Sequence, residues 1–202
     1  MPADADWAVQ VLRNGTMTDK LSLMTLMVQE APAYNLEALE KLLQMASKKA
    51  RREAIMAIDA LKDLWLNNLT PTNRPLRFFY EQPINAKEMS PMHLLLFYVE
   101  DKLKHLYSQF LACLAQWATD TLSHTKVKII SVLKECLVAV PEGEKVVLGI
   151  LVNKLGDKDR KVASKVVTEM SDVLRVHPAM KPFIVKEVLE VIWRPNVGDR
   201  AQ

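Results

Sequence analysis

The sequence has few of the residues that carry covalent or metal chemistry. Its 202 residues include only two cysteines, four histidines and five glycines. Cys113 and Cys136 both lie inside apolar runs, which excludes a disulfide framework or a Cys-x-x-Cys metal site and fits a reducing compartment. The histidines lack the i, i+4 pairing of a zinc site, and no Gly-rich nucleotide loop or Walker motif occurs. We therefore predict no catalytic residues, no metal, no cofactor and no small-molecule substrate.

Long apolar runs and a strong excess of one charge are also missing. The stretch "LLLFYV" at 94–99 meets charged residues within a few positions, and no apolar segment follows a basic amino-terminal head. The sequence therefore predicts neither a membrane span nor a secretion signal. Lys and Arg number 27 against 24 Asp and Glu, a formal net charge of +3. Because this excess is mild, the position of the charges is more informative than their total.

Helical periodicity extends over almost the whole chain. Apolar residues recur every three or four positions, and the alternation typical of strands is nearly absent, which predicts an all-α fold. Thr18-Asp19 and Asn35 are the predicted N-caps of two helices. A long helix is predicted to bury one apolar stripe, formed by Leu96, Val99, Leu103, Leu106, Phe110, Leu114 and Trp117.

The carboxy-terminal part contains an internal repeat. A shift of 37 residues places Pro141 on Pro178, Leu133 on Met170 and Val147 on Ile184. A period of roughly 40 residues with two helices per unit predicts a HEAT/armadillo-like α-solenoid of stacked helical hairpins. Prolines interrupt the helical pattern within 70–92. We predict helical repeats at 1–69, a proline-rich connection at 70–92 and further repeats at 93–202, all in one continuous solenoid.

Basic residues collect at the turns that lead from one predicted hairpin to the next. They are Lys48, Lys49, Arg51, Arg52, Lys126, Lys128, Lys154, Lys158, Arg160, Lys161 and Lys165. The start of a helix carries the positive end of the backbone dipole and disfavours cations, but free N–H groups together with Arg and Lys bind phosphate well. Since equivalent turns of a solenoid align, the pattern predicts a basic edge that binds RNA. Alternatively, the charges form a solvated face and pair with Asp157, Asp159 or Glu53.

The proline-rich connection supplies a second group of candidates. Its segment "RPLRFFYEQP" contains Arg74, Arg77, Phe78 and Phe79. Aromatic rings beside arginines stack on unpaired RNA bases, so these four residues are possible RNA contacts. Aromatic rings also fill gaps between helical blocks, and we favour this packing role.

Five segments together resemble one protein family. They are "VLRNGTMTDKLSLMTLMVQEAP" (11–32), "RREAIMAIDALKDLWLNNL" (51–69), "LRFFYEQP" (76–83), "LVNKLGDKDRKVASK" (151–165) and "HPAMKPFIVKEVLEVIWRP" (177–195). In this combination they resemble the CCAAT/enhancer-binding protein zeta family of nucleolar complex proteins. The resemblance implies a non-enzymatic factor of the nucleolus or nucleus that assists assembly of the large ribosomal subunit. Its implied partners are pre-ribosomal RNA, a second nucleolar complex protein and other large-subunit assembly factors, and no membrane is among them.

The alternative function is a HEAT-type protein-binding adaptor, transcription-related roles included, with no direct RNA contact.

Overall fold

The computed structural model describes residues 10–71, 73–83 and 89–193, and every regular element in these ranges is helical. This confirms the all-α prediction. The helices are α1 (Met17–Glu30), α2 (Leu36–Ala46), α3 (Arg51–Leu64), α4 (Pro91–Trp117), α5 (Ser123–Ala139), α6 (Glu144–Asn153), α7 (Arg160–Val176) and α8 (Lys181–Ile192). A π-helical turn at Trp65–Leu69 extends α3, and 3-10 turns occur at Phe79–Glu81, Lys154–Gly156 and Pro178–Met180.

The chain forms two compact units, Met1–Cys113 and Leu114–Gln202. The division at 70–92 and the single continuous solenoid stay predictions.

Helix α1 is capped by Thr16, so the predicted cap at Thr18-Asp19 was wrong by two residues. The Thr16 hydroxyl accepts a hydrogen bond from the Asp19 N–H at 3.3 Å, and the Asp19 carboxylate accepts one from the Thr16 N–H at 3.0 Å. The two residues form a reciprocal capping box, in which Asp19 occupies the third helical position. Asp19 therefore lies within α1 and contributes to the cap through its side chain, which accepts a hydrogen bond from the N-cap residue Thr16.

Asn35 occupies the N-cap position of α2, but its side chain serves the preceding helix. No capping hydrogen bond joins this side chain to α2. Instead, Asn35 Nδ2 donates to the carbonyl oxygens of Met27 at 2.8 Å and Ala31 at 3.1 Å. These carbonyls lie at the end of α1 and also accept backbone N–H groups, Met27 from Ala31 and Ala31 from Tyr34 and Asn35, so the amide is a further donor to both. The amide thus closes one helix at the point where the next begins.

Asn35→Asp separates these two roles, because aspartate is as good an N-cap as asparagine but cannot donate a hydrogen bond. We expect this variant to lower the free energy of unfolding by about 1–2 kcal/mol, since two carbonyls each lose one of their donors and face a carboxylate instead. Urea denaturation followed by circular dichroism measures the effect. A variant as stable as the wild type would show that the side chain caps α2 after all.

The unit up to Cys113 is built around the mutual packing of α1, α2 and α3. Trp65 is buried after α3, and its ring meets that of Tyr107 of α4 edge-on, with centroids 5.0 Å apart. Leu103 and Phe110 of the predicted α4 stripe are buried, but Leu96 is 52% exposed. Val99 is buried, so the buried part of the stripe starts after Leu96 and later than predicted.

In the second unit the packing follows the 37-residue repeat. Helix α5 packs against α6 and α7, and α6 packs against α8. The first helices of the two hairpins therefore contact each other, and so do the second helices. Ile129 and its repeat equivalent Val166 are both fully buried. Stacked hairpins bury a continuous apolar core in this way.

Candidate nucleic-acid interface

The turn between α2 and α3 brings together the basic residues predicted for the first unit. Lys48, Lys49, Arg51 and Arg52 are all exposed there. Ala50 occupies the N-cap position of α3 and offers no side-chain acceptor to the first N–H groups of that helix. Cations and helix N–H groups thus lie on the same turn, an arrangement that suits an anion.

In the second unit, three of the predicted lysines form ion pairs within the fold. Lys126 Nζ lies 3.1 Å from both carboxylate oxygens of Asp157, and Lys154 Nζ lies 3.3 Å from one of them. The Asp157 side chain is only 7% exposed. Lys165 contacts Glu169 at 2.6 Å, and Ser131 of α5 donates to the same carboxylate at 3.1 Å. The carboxylates neutralise much of the charge that these three lysines bring to the turn.

Asp157 and Asp159 fasten the start of α7 to α5. Asp159 is the N-cap of α7 and accepts the N–H of Lys161 at 2.8 Å, and the Ser123 hydroxyl at the start of α5 also donates to it. The hydrogen bond from Ser123 lowers the pKa of Asp159. Burial alone would raise the pKa of Asp157, but hydrogen bonds from the Asp159 N–H, Lys126 and Lys154 outweigh burial and lower it. Both carboxylates are therefore ionised at neutral pH.

The remaining predicted cations of this unit lie at the surface around the start of α7. Lys158, Arg160 and Lys161 are exposed, and Lys128 is half-buried. Asp159 already caps the helix, so the N–H group of Lys161 at the start of α7 is occupied. An anion at the start of α7 would therefore bind mainly to the charged side chains of Lys158, Arg160 and Lys161.

The connection is hydrogen-bonded to α4 through acidic residues and one lysine. Glu100 accepts hydrogen bonds from Arg74, from the Arg77 N–H at 2.9 Å and from Gln82 Nε2 at 2.9 Å. Burial would raise the pKa of Glu100, but these three donors outweigh it and lower the pKa. Lys104 Nζ donates to the Leu76 carbonyl at 2.5 Å. Arg74, a predicted RNA contact, thus also has a role in folding.

The aromatic rings of the connection are engaged to different degrees. Phe78 stacks on Tyr80 with centroids 5.3 Å apart, and Lys104 Nζ lies 4.5 Å from the centroid of the Phe78 ring. Phe79 is 37% exposed and Tyr80 77% exposed, while Arg77 is also exposed. The solvent-facing groups of this segment are therefore Arg77, Phe79 and Tyr80, and Tyr80 was absent from the predicted contacts.

Sequence reasoning named Asp157, one of the carboxylates that bind the predicted cations, but it missed Glu169 and Glu100. Glu169 lies four residues after Lys165, a spacing that places both on one helix face and could have predicted their pairing. Asp157 was considered as a partner, but its contact with Lys126 crosses 31 residues. Glu100 and Arg74 are 26 residues apart and have no local signal.

Fold and surface together define an all-helical protein whose candidate sites are basic turns. In the ranges that the structure covers, no group of three or more His, Cys, Asp or Glu side chains could hold a metal ion. None of the helices in those ranges is long and apolar enough to cross a membrane.

Relatives of the chain agree on one family, although no family profile matches it. It is 33% identical to human CCAAT/enhancer-binding protein zeta over 99% of its length, covering 20% of that protein. It is 34% identical to ribosome biogenesis protein NOC1 of Chaetomium thermophilum, with 95% of the chain and 20% of the relative covered. It is 33% identical to nucleolar complex protein 1 of Drosophila melanogaster, with 100% of the chain and 18% of the relative covered. Over nearly its whole length the chain matches a segment of the proteins named CCAAT/enhancer-binding protein zeta and nucleolar complex protein 1. It spans about a fifth of the length of these relatives.

Proposed function

We propose that the chain is a non-enzymatic, HEAT-like scaffold segment of a nucleolar factor that assists assembly of the large ribosomal subunit. Its basic turns bind pre-ribosomal RNA, and other surfaces hold assembly factors, including a second nucleolar complex protein. The relatives named for ribosome biogenesis and for a nucleolar complex support the assembly role. The packing of α5 on α7 and of α6 on α8 supports HEAT-like stacking.

The observation that carries the RNA proposal is the contrast between paired and exposed cations around the start of α7. Lys126, Lys154 and Lys165 contact carboxylates, whereas Lys158, Arg160 and Lys161 project into solvent. We therefore assign the first three lysines to the fold and the exposed three to the RNA surface. Lys48, Lys49 and Arg52 are the corresponding exposed cations of the other unit.

Fluorescence anisotropy with structured pieces of large-subunit pre-ribosomal RNA, across a salt series, tests this function. We expect Arg160→Glu/Lys161→Glu and Lys48→Glu/Lys49→Glu each to weaken binding about tenfold or more at 0.1 M salt. Each lost phosphate contact should also reduce the slope of log K against log salt by about 0.7–0.9. The matched control is Lys181→Glu/Lys186→Glu, which makes the same change in charge on exposed residues of α8.

The double variants also distinguish RNA binding from a general attraction between charges. Equal losses in all three variants would indicate net charge alone, and no binding by the wild type would contradict the RNA proposal for this segment. A protein-binding adaptor would then be the better function. Circular dichroism and thermal denaturation of each variant verify that the fold is retained.

A further inference from the structure

Helix α8 carries an apolar face that lies open in the part of the chain the structure describes. Val185 is 49% exposed, Leu189 47%, Ile192 66% and Trp193 79%. Val185, Leu189 and Trp193, together with Pro182, line a shallow groove of about 500 Å³. Clustered apolar residues of this size on a surface mark a binding interface.

The internal repeat shows what covers such a face. Under the 37-residue shift, Val185 and Leu189 of α8 correspond to Leu148 and Val152 of α6. Leu148 is 2% exposed and Val152 is fully buried, in a helix that packs against α8. The same positions are thus buried in the hairpin that is followed by another and exposed in the last one described. The occupant that fits the groove is a helix placed on α8 as α8 is placed on α6.

The first helix of the last hairpin shows the same difference. Ile130 of α5 is fully buried, whereas its repeat equivalent on α7, Val167, is 55% exposed. Helix α5 packs against α7, so α7 contributes to the burial of the α5 face. Since both α7 and α8 present an open face, two further helices are needed to cover them.

The contrast is confined to the stacking side of the hairpins. Val146 of α6 is 54% exposed, and its repeat equivalent on α8, Phe183, is 61% exposed. Exposure at this position does not depend on whether another hairpin follows. The open face of α8 is therefore a property of its position in the stack and not of a generally apolar helix.

We propose that a further helical hairpin of the same polypeptide, outside these 202 residues, stacks on α7 and α8 and fills the groove with its second helix. The relatives leave ample sequence for it, because the chain spans only 18–23% of their length. The segment between α6 and α7 is short, and a similar link would hold a following hairpin at high effective concentration beside its site. A second copy of the chain lacks this advantage. The proposal does not depend on RNA binding.

Cysteine accessibility tests the covered face. Leu189→Cys introduces a thiol in the groove, while the native Cys113 and Cys136 are buried and give little background. We expect maleimide to label this thiol about tenfold or more slowly in the full-length natural polypeptide than in the 202-residue chain. The control is Phe183→Cys, whose repeat equivalent stays exposed in a covered hairpin, and its labelling rate should be the same in both proteins.

Hydrogen exchange of unsubstituted protein gives a second readout that needs no folding of a variant. The amides of α8 should exchange more slowly in the full-length polypeptide than in the 202-residue chain. Equal exchange and equal labelling at position 189 in the two proteins would overturn the proposal. Protection in the 202-residue chain that increases with protein concentration would also overturn it, in favour of a second copy as occupant.

Discussion

Asp157→Asn is expected to lower the free energy of unfolding of the unit Leu114–Gln202 by about 2–3 kcal/mol at neutral pH. The buried carboxylate neutralises Lys126 and Lys154, both of which are mostly buried as well. Asparagine has the same size and still accepts a hydrogen bond from the Asp159 N–H, but it removes the negative charge that both ammonium groups contact. Urea denaturation monitored by hydrogen exchange in α5 and α7 locates the loss in this unit.

The effect of Asp157→Asn should disappear in acid. Hydrogen bonds and the two lysines hold the folded-state pKa of Asp157 below its ordinary value, which is about 3.9 in unfolded chains. The carboxylate therefore contributes its full stabilisation above the unfolded pKa and loses it as the pH falls through the folded pKa. We expect the wild type and the variant to become equally stable at low pH. A difference that persists once the carboxylate is fully protonated would mean that asparagine disturbs packing instead of charge.

Asp172→Asn is the matched control for the change at Asp157. Asp172 also pairs with a cation at close range, 2.6 Å from Arg175, but the side chains are 34% and 77% exposed. Exposed ion pairs contribute little, so we expect a loss below about 0.5 kcal/mol. If both variants lost the same stability, the reduced negative charge of the unit would explain the result, and the buried position of Asp157 would have no special effect.

The helices of this chain were predictable because their signals are local. Apolar spacing and the 37-residue repeat predicted helices that pack as α5 on α7 and α6 on α8. The errors occur where a distant element decides the outcome. Leu96 fits the apolar stripe of α4 by spacing but is 52% exposed, since spacing alone does not determine where another element covers the helix. Asn35 has the residue type and position of an N-cap, yet its side-chain amide donates hydrogen bonds to carbonyl oxygens at the end of the preceding helix.

The basic turns were predictable in position but not in the state of each charge. Sequence reasoning placed Lys126, Lys154 and Lys158 in the same list of RNA-binding candidates. Asp157 separates them, because it binds the first two and leaves the third exposed. This choice depends on the stacking of two hairpins, which brings residues 31 positions apart into contact. The division between cations that stabilise the fold and cations available to RNA therefore required the structure.

Glu100→Ala is expected to release the connection at 73–83 from α4 and to lower the free energy of unfolding by about 2–4 kcal/mol. The Glu100 side chain is 15% exposed and binds Arg74, the Arg77 N–H and Gln82, so its removal leaves three donors without this acceptor. Limited digestion with trypsin measures the release, because Arg77 lies within the freed segment. We expect cleavage after Arg77 to be much faster than in the wild type.

The control for Glu100→Ala is Asp63→Ala, which removes a carboxylate that is 61% exposed and pairs with the adjacent Lys62. It should change neither stability nor cleavage after Arg77 appreciably, because exposed ion pairs contribute little. Unchanged cleavage in Glu100→Ala would mean that Asp101 and Lys104, which also bind the connection, hold it without Glu100.

The Glu100→Ala variant also tests the connection as an RNA contact, since Arg77 and Phe79 keep their chemistry but lose their fixed position. A loss of RNA affinity with unchanged salt dependence would indicate aromatic stacking by this segment, because stacking releases no counterions.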